Sequence, residues 1–588
     1  MNRKNIFLFL LIVFVNLPIF AQYFVNYGRM NISGGYVVIN GSCKNESSAE
    51  ITLDGIVKLT GDWTNNSSTT VITGTGTNGD VVFEGITPQT IGGTATQSNF
   101  EKLTISTVSE VELPAGKAST AYGSTSIDGT FNLKSDATST ASFIGIGGIS
   151  VSGIANSERY IAGSQWHITG YPITDQNIQT FFSNNASIPT NGINKGMVAY
   201  DESINDWGAF FTTSTPGILS AGTGYLARTT ADGIIYSEGT LASSQVNVSL
   251  TRSGHGWNCL GNPYTSSIKV RGDVPGTDNF LGVNYLQLET GFEALYIFDP
   301  ANPTLYRIIN NAGIGGRYIS QDYLQPGQGF LCRAKTTPGS ASFTSNMQFH
   351  QNPVFYKKSA NAVWNSIILK VSSNNTSATT AIGFREGMTT GLDITYDAGL
   401  LGGDPALKLY TNLIEDIGLK LAIQCLPDNN YDGLRIPIGI DFPSGGVITF
   451  NSELINLPVG CKAFLEDKTL GILTELNSLD DSYNVSLEAN TSGTGRFFLK
   501  LSDETNNVIN PESLKINIFA VGKEIFIKGF VEANTNAVLF DLSGQKLKTV
   551  LLQPSETNSF RVDEFKSGIY IIKILGNNIL ENKKVFIE

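Results

Sequence analysis

Ala49-Glu50-Ile51-Thr52-Leu53-Asp54-Gly55-Ile56-Val57-Lys58-Leu59-Thr60-Gly61-Asp62-Trp63 sets the pattern for the N-terminal quarter of the chain. Apolar side chains recur at every second position, Ile51 and Leu53, then Val57 and Leu59, with glycine between the runs. Alternation at period two over four or five residues marks a strand with one buried face, and the glycines mark turns. Outward from this stretch the pattern repeats. Gly35-Tyr36-Val37-Val38-Ile39-Asn40-Gly41 precedes it; Asp80-Val81-Val82-Phe83-Glu84-Gly85, Phe100-Glu101-Lys102-Leu103-Thr104-Ile105 and Gly129-Thr130-Phe131-Asn132-Leu133 follow. Such recurrence predicts the stacked rungs of a parallel β-solenoid over residues 22–157, each rung burying its face against its neighbours. The spacing of the runs is irregular, which leaves a β-sandwich as the alternative.

Composition agrees with an all-β class. Of 588 residues, 62 are Gly, 41% are hydrophobic and only 15% are charged. Thr, Ser, Asn, Val and Ile are abundant and long helical periodicities are scarce, which favours turn-rich β architecture. The length accommodates several domains. A formal net charge of −12 argues against a nucleic-acid partner, which would need a basic footprint, and against electrostatic docking on anionic membranes. The cysteines are Cys43, Cys259, Cys332, Cys425 and Cys461, with no C-x-x-C spacing, so a zinc ribbon or thioredoxin-like site is excluded. Cys259 with Cys332 and Cys425 with Cys461 are candidate bridges, and buried free thiols are the alternative.

From residue 158 to 350 aromatic residues become frequent and the segment reads as a second β-rich module. It contains Gln165-Trp166-His167-Ile168-Thr169-Gly170-Tyr171-Pro172 and Gly256-Trp257-Asn258-Cys259-Leu260-Gly261-Asn262-Pro263-Tyr264. Gly261-Asn262-Pro263 is a turn, with Trp257 packed under it. Gly222-Thr223-Gly224-Tyr225-Leu226-Ala227 and Gly327-Gln328-Gly329-Phe330-Leu331-Cys332 share a Gly-x-Gly-aromatic pattern, which suggests two related β-halves. Neither copy completes a dinucleotide-binding G-x-G-x-x-G. Residues 351–505 read as a β-sandwich, ending in Gly493-Thr494-Gly495-Arg496-Phe497-Phe498-Leu499. A polar stretch with Pro511 reads as a linker to the last unit, over residues 506–588.

That last unit holds Val538-Leu539-Phe540-Asp541-Leu542-Ser543-Gly544, then Ser567-Gly568-Ile569-Tyr570-Ile571-Ile572-Lys573-Ile574 and Lys583-Lys584-Val585-Phe586-Ile587-Glu588. A strand ending in Asp, a Ser-Gly turn, a strand opening Gly-x-Tyr and a terminal Lys-Lys strand resemble the type A C-terminal sorting domain of Bacteroidetes type IX secretion cargo. The motif residues are Asp541, Gly544, Gly568, Tyr570, Lys573, Lys583 and Lys584. One departure is visible: many members open this domain with Pro-Asn-Pro, and here Ile518-Phe519-Ala520-Val521 stands instead. The resemblance implies a small Ig-like sandwich, recognition by the type IX machinery and delivery to the outer surface or medium. Trp63-Thr64-Asn65-Asn66 and Gln89-Thr90-Ile91-Gly92-Gly93 are similar to repeats of flavobacterial surface proteins. The Trp257 to Tyr264 element is similar to one found in surface proteins with this sorting domain. At the other end, Arg3 and Lys4 precede an apolar run from Ile6 to Val15, and Ala21 offers a cleavage site. This is a secretory signal peptide over residues 1–21, too short to span a bilayer.

Motifs for chemistry are sparse. The three histidines, His167, His255 and His350, form no H-E-x-x-H, and neither a G-x-S-x-G elbow nor a P-loop occurs. Asp201-Glu202 and Asp480-Asp481 lie in polar turns, where a paired-carboxylate hydrolase would need them across a cleft. Asp428-Asn429-Asn430-Tyr431-Asp432-Gly433 fits the opening of a calcium loop, but Gly439 stands where the bidentate Glu belongs. Trp166, Trp207, Trp257 and Tyr225 are candidates for glycan contact if exposed, and core packing is the competing reading of each. The combined expectation is a secreted or cell-surface, adhesin-like or structural protein without catalysis, cofactor or metal, and without a transmembrane segment in the mature chain. Host matrix or surface glycan are its candidate partners. A carbohydrate-binding surface protein is the first alternative and a β-solenoid polysaccharide lyase or hydrolase the second.

Overall fold

The computed structural model describes residues 22–67, 78–300, 306–314, 323–350, 364–374, 376–401, 406–414, 418–428, 434–457, 461–478, 480–503, 517–528, 531, 535–553, 557–575 and 580–587. The proposed signal peptide lies outside them, as does most of the candidate calcium loop.

Period-two patterning closes into a three-sided parallel solenoid. One side stacks Gln22–Asn26, Gly41–Asn45, Trp63–Asn65, Gln89–Gly92, Glu110–Leu113, Thr130–Leu133 and Ile154–Ile161. A second side stacks Tyr36–Ile39, Ile56–Leu59, Asp80–Phe83, Lys102–Ile105, Thr125–Ile127 and Ile149–Val151. The third carries Arg29–Ile32 on Glu50–Leu53, then Gln97–Phe100, Ala118–Ala121 and Ser142–Gly145. Successive strands within each stack pair in parallel one coil apart, as Phe24 with Cys43 and Cys43 with Trp63, which replaces the sandwich alternative. Inward residues are close to fully buried, among them Leu53, Val57, Leu103, Val111 and Phe131. Each such side chain contributes about 1.5–3 kcal/mol by burial. Asparagines stack as well: Asn26 Nδ2 donates to Asn45 Oδ1 at 2.8 Å, and Asn156 Nδ2 to Asn132 Oδ1 at 2.7 Å. The coils touch at their corners, where a Cβ on Gly153 would lie 2.0 Å from the Gly129 carbonyl oxygen.

The solenoid runs directly into the aromatic module. Its last strand, Ile154–Ile161, also pairs antiparallel with Gly233–Gly239. His350 bonds to the solenoid's third side, with Nε2 2.7 Å from Thr120 Oγ1 and Nδ1 2.8 Å from Ser142 Oγ. Burial pushes the His350 pKa down to about 4, so the ring is neutral at neutral pH.

The module itself is a duplication. In the first half, His167–Thr169 pairs antiparallel with Tyr225–Ala227, and in the second, Trp257–Gly261 pairs with Gly329–Arg333. Each half adds a short helix, Ile178–Asn184 or Phe280–Asn284, capped by Asn177 or Asn279. At or just past each helix end an asparagine clamps a distant strand. Asn185 bonds both backbone groups of Tyr236, and Asn284 bonds both of Ser342. The halves exchange equivalent bonds, Gly170 N to Gly327 O at 3.0 Å and Gly261 N to Gly222 O at 2.9 Å. They meet at paired glycines, since a Cβ on Gly261 would lie 2.5 Å from Gly170 Cα. The two facing sheets share one core containing Ile168, Val198, Leu226, Trp257, Cys259, Tyr296 and Leu331.

Beyond the module, strands from Asn365–Ser373 to Thr491–Asp503 form one sheet around an apolar core of their own, while Ile368, Ala381, Ile423 and Cys425 join the core shared with the module. The last unit has seven described strands in two sheets that share a core of Ile518, Ile525, Ile527, Leu539, Ile572, Ile574, Val585 and Ile587. Neither candidate bridge forms. Cys259 sits opposite Leu331 while Cys332 sits opposite Asn258, so the two sulfurs point to opposite faces of the sheet and into different cores. Cys425 is buried in the module's shared core, whereas Cys461 packs against the core of the next unit. Burial pushes the Cys43 and Cys332 thiols up to about 12, which keeps them protonated and unreactive.

Candidate functional site

Strand register explains which side chains of the duplicated module share a face. Trp166 precedes its strand by one residue and Arg228 follows the paired strand by one, so they stand opposite each other. Trp257 and Arg333 are direct partners in the second half. Both pairs stack as cation–π contacts: Arg228 lies 5.5 Å from the Trp166 ring and Arg333 6.0 Å from the Trp257 ring. A phenylalanine completes each group, Phe210 at 6.1 Å from Trp166 and Phe292 at 5.9 Å from Trp257.

Their settings differ. Trp257 is 5% exposed, edge-on to Tyr296 at 4.8 Å, and its arginine also stacks on Phe292 at 4.3 Å. Arg333 is held by a 3.1 Å bond from Nε to the His255 carbonyl and by Glu289 at 4.0 Å. Trp166 and Arg228 are only half-buried, and Phe210 is 46% exposed. Among the described residues no carboxylate pairs with Arg228, and its Nε is buried without a hydrogen-bond partner. Two of the four glycan-contact candidates therefore present no ring to solvent, Trp257 and Tyr225, the latter bonded through its hydroxyl by Ser220 N and packed in the core behind the first sheet. Trp207 is half-buried, edge-on to Tyr200 at 5.3 Å on the same sheet face as Phe210.

The other candidates for chemistry are taken up in local structure. His167 Nε2 lies 2.9 Å from the Ala162 carbonyl, and burial lowers its pKa. Glu202 accepts bonds from the backbone N–H groups of Ser253, Gly254 and Gly256, fixing the loop that carries His255. Asp201 caps its own turn through Ser203, and Asp481 does so through Asn477 and Ser478. Among the described residues no group of three or more His, Cys, Asp or Glu is placed to hold a metal ion. No helix among them is long and apolar enough to cross a membrane.

In the last unit the motif residues divide by role. Asp541 Oδ1 accepts from Ser543 Oγ at 2.6 Å and from the Ser543 and Gln545 N–H groups at 2.9 Å, and these bonds hold its carboxyl below the usual range. Gly544 closes that turn at φ +85°, a left-handed conformation that favours glycine. Tyr570 packs on the core and donates to the Lys566 carbonyl at 2.8 Å. Gly568 opens the strand, and a Cβ there would meet only the Tyr570 ring, at 3.8 Å. The outer face of the sheet carries Ile569 opposite Phe586, both exposed, with Lys584 opposite Ile571 and Lys573 opposite Asn582. Lys583 instead reaches Thr390 Oγ1 in the preceding unit at 3.4 Å.

Comparison with known proteins gives two family matches. A model described as "Domain of unknown function (DUF8693)" matches residues 56–501. A model described as "Secretion system C-terminal sorting domain" matches residues 510–588, which makes the chain type IX secretion cargo bound for the cell surface or the extracellular space. No curated protein matches the chain. Among solved structures the chain is similar to one titled "Biofilm associated protein - BSP domain", at 9% identity and a TM-score of 0.16, with 74% of this chain and 92% of that chain covered. A likeness that low carries no argument here.

Proposed function

This chain belongs to the family of the domain of unknown function DUF8693, and from that premise we propose that it is a non-catalytic, adhesin-like surface protein that displays a recognition surface. The observation that carries this reading is the open aromatic–arginine group, Trp166, Phe210 and Arg228, in a module joined to the solenoid by shared strand pairing and by His350. A ring and a cation held on a sheet and left facing solvent suit ligand capture. His167, His350, Asp201, Glu202 and Asp481 are meanwhile engaged in hydrogen bonds within the fold. We read the chain as a leader over residues 1–21, a solenoid over 22–157, the aromatic module over 158–350, a sandwich over 351–505 and the sorting domain with its linker over 506–588.

Carbohydrate binding is the second reading, favoured by the exposure of Phe210 beside Trp166. The test is attachment of beads coated with the mature chain to glycan-coated and matrix-coated surfaces. Retention that falls when Phe210 is replaced by Ser supports the display reading. Turnover of the coating, read as released sugar or peptide, contradicts it.

A further inference from the structure

We propose that Arg228 is the seat of a carboxylate-binding site that takes the uronic-acid units of an acidic polysaccharide. The argument comes from the duplication. The sequence W-x-x-x-G-x-P followed by G-x-G-[YF]-L-x-R occurs twice, from Trp166 to Arg228 and from Trp257 to Arg333. The two arginines stand at equivalent positions, stacked on equivalent tryptophans. In the second copy the chain itself places an anion nearby: Glu289, whose carboxylate is bonded to Arg252, also lies 4.0 Å from Arg333 and donates its backbone N–H to the Arg333 carbonyl at 2.9 Å. In the first copy the guanidinium likewise stacks on its tryptophan and has no carboxylate partner among the described residues.

Among the described residues Arg228 has no carboxylate partner, although its twin has one within 4.0 Å. Guanidinium pairs carboxylate through two parallel N–H···O bonds, and Glu289 beside Arg333 shows the equivalent position accommodating a carboxylate. The backbone N–H of Arg228 is bonded to the Gly196 carbonyl at 3.0 Å, which fixes the start of the side chain. A Cβ on Gly196 would lie 3.2 Å from Arg228 Cγ, so the absent side chain there leaves room for the arginine stem. Phe210 offers an exposed ring beside Trp166, on the sheet face that also carries Arg228, and a pyranose can lie on that ring while its carboxylate meets Arg228. Trp166 is a positioning residue in this scheme. An acidic peptide shares the carboxylate but has no flat apolar sugar face to place on Phe210.

The inference rests on the display reading above and sharpens it to a ligand class. The experiment is titration of the mature chain with oligogalacturonate, with a neutral gluco-oligosaccharide and a poly-glutamate peptide alongside. Oligogalacturonate should bind, weaken with added salt as an ion pair does, and weaken at least about tenfold in Arg228→Gln and less in Arg228→Lys. Arg228→Gln should melt within a few degrees of the parent, because it removes one half-buried cation–π contact and no ion pair among the described residues. No binding of oligogalacturonate, or binding that Arg228→Gln leaves unchanged, overturns the proposal. Equal binding of poly-glutamate overturns the polysaccharide assignment. Binding of the neutral sugar alone, lost in Phe210→Ser, rejects the carboxylate seat while leaving the display reading standing.

Discussion

The two halves of the aromatic module share a strand-pair scaffold, but one is sealed and the other open. Around Trp257 the tryptophan and two further rings are buried and the half-buried arginine has a carboxylate beside it; around Trp166 both the tryptophan and the arginine are half-buried, and among the described residues no carboxylate pairs with the arginine. A repeated scaffold thus serves packing in one copy and presents chemistry in the other. The difference comes from the segments inserted between the shared strands. Glu289 and Phe292 cover the second pair, whereas the hairpin of Asn194–Asp201 and Asp206–Thr212 leaves Phe210 at the edge of the first.

The contrast predicts unequal responses to equal changes. Trp257→Ala removes a buried ring and should destabilise the protein by about 3–5 kcal/mol, whereas Trp166→Ala should cost about 1–2 kcal/mol. Thermal melts of the two variants, compared pairwise, check this, and equal losses would erase the distinction. A second difference lies in how the module is held to the solenoid. The His350 pKa of about 4 lies below the ordinary 6.5, so the unfolded chain binds a proton that the folded chain excludes between those values. His350 should therefore take away about 3 kcal/mol of stability as pH falls from 6.5 to 4. Glu293, which burial pushes up to about 7 from 4.5, works in the opposite sense, and its loss appears as pH rises through that window. Denaturant titrations across pH should show H350Q gaining on the parent toward low pH and E293Q gaining toward high pH. The reverse order would mean the burial argument is wrong. Arg333→Gln removes the contact with Glu289, the stack on Phe292 and the bond to the His255 carbonyl and should cost about 2 kcal/mol, while Arg228→Gln removes one half-buried cation–π contact and should stay within about 1 kcal/mol of the parent.

Much of the fold was legible because burial imposes simple periods. Ile51, Leu53, Val57 and Leu59 alternate in sequence and all point into the solenoid core. What the alternation could not decide was stacking against facing, because solenoid and sandwich strands share the same period; parallel register between successive coils decides it. The Gly-x-Gly-aromatic pair did indicate two halves. The arginine after each copy was not singled out, although Trp166 and Trp257 each precede Gly-x-Pro at the same distance, and that spacing was the available signal. Its meaning depends on cross-strand register, which places Arg228 opposite Trp166 across a gap of many residues. The same register defeats the cysteine bridge, since an offset of one residue sends Cys259 and Cys332 to opposite faces. In the last unit the motif was legible as a pattern, but its division into turn, core and surface roles was not. Asp541 builds a turn and Tyr570 fills the core, while Lys584 faces outward.

The most direct test of the open-and-sealed account measures Arg228→Gln and Arg333→Gln side by side, each for unfolding free energy and for oligogalacturonate binding. The account predicts a crossed result: Arg228→Gln keeps its stability and loses binding, and Arg333→Gln loses stability and keeps binding. Two variants that lose the same property to the same extent would contradict it.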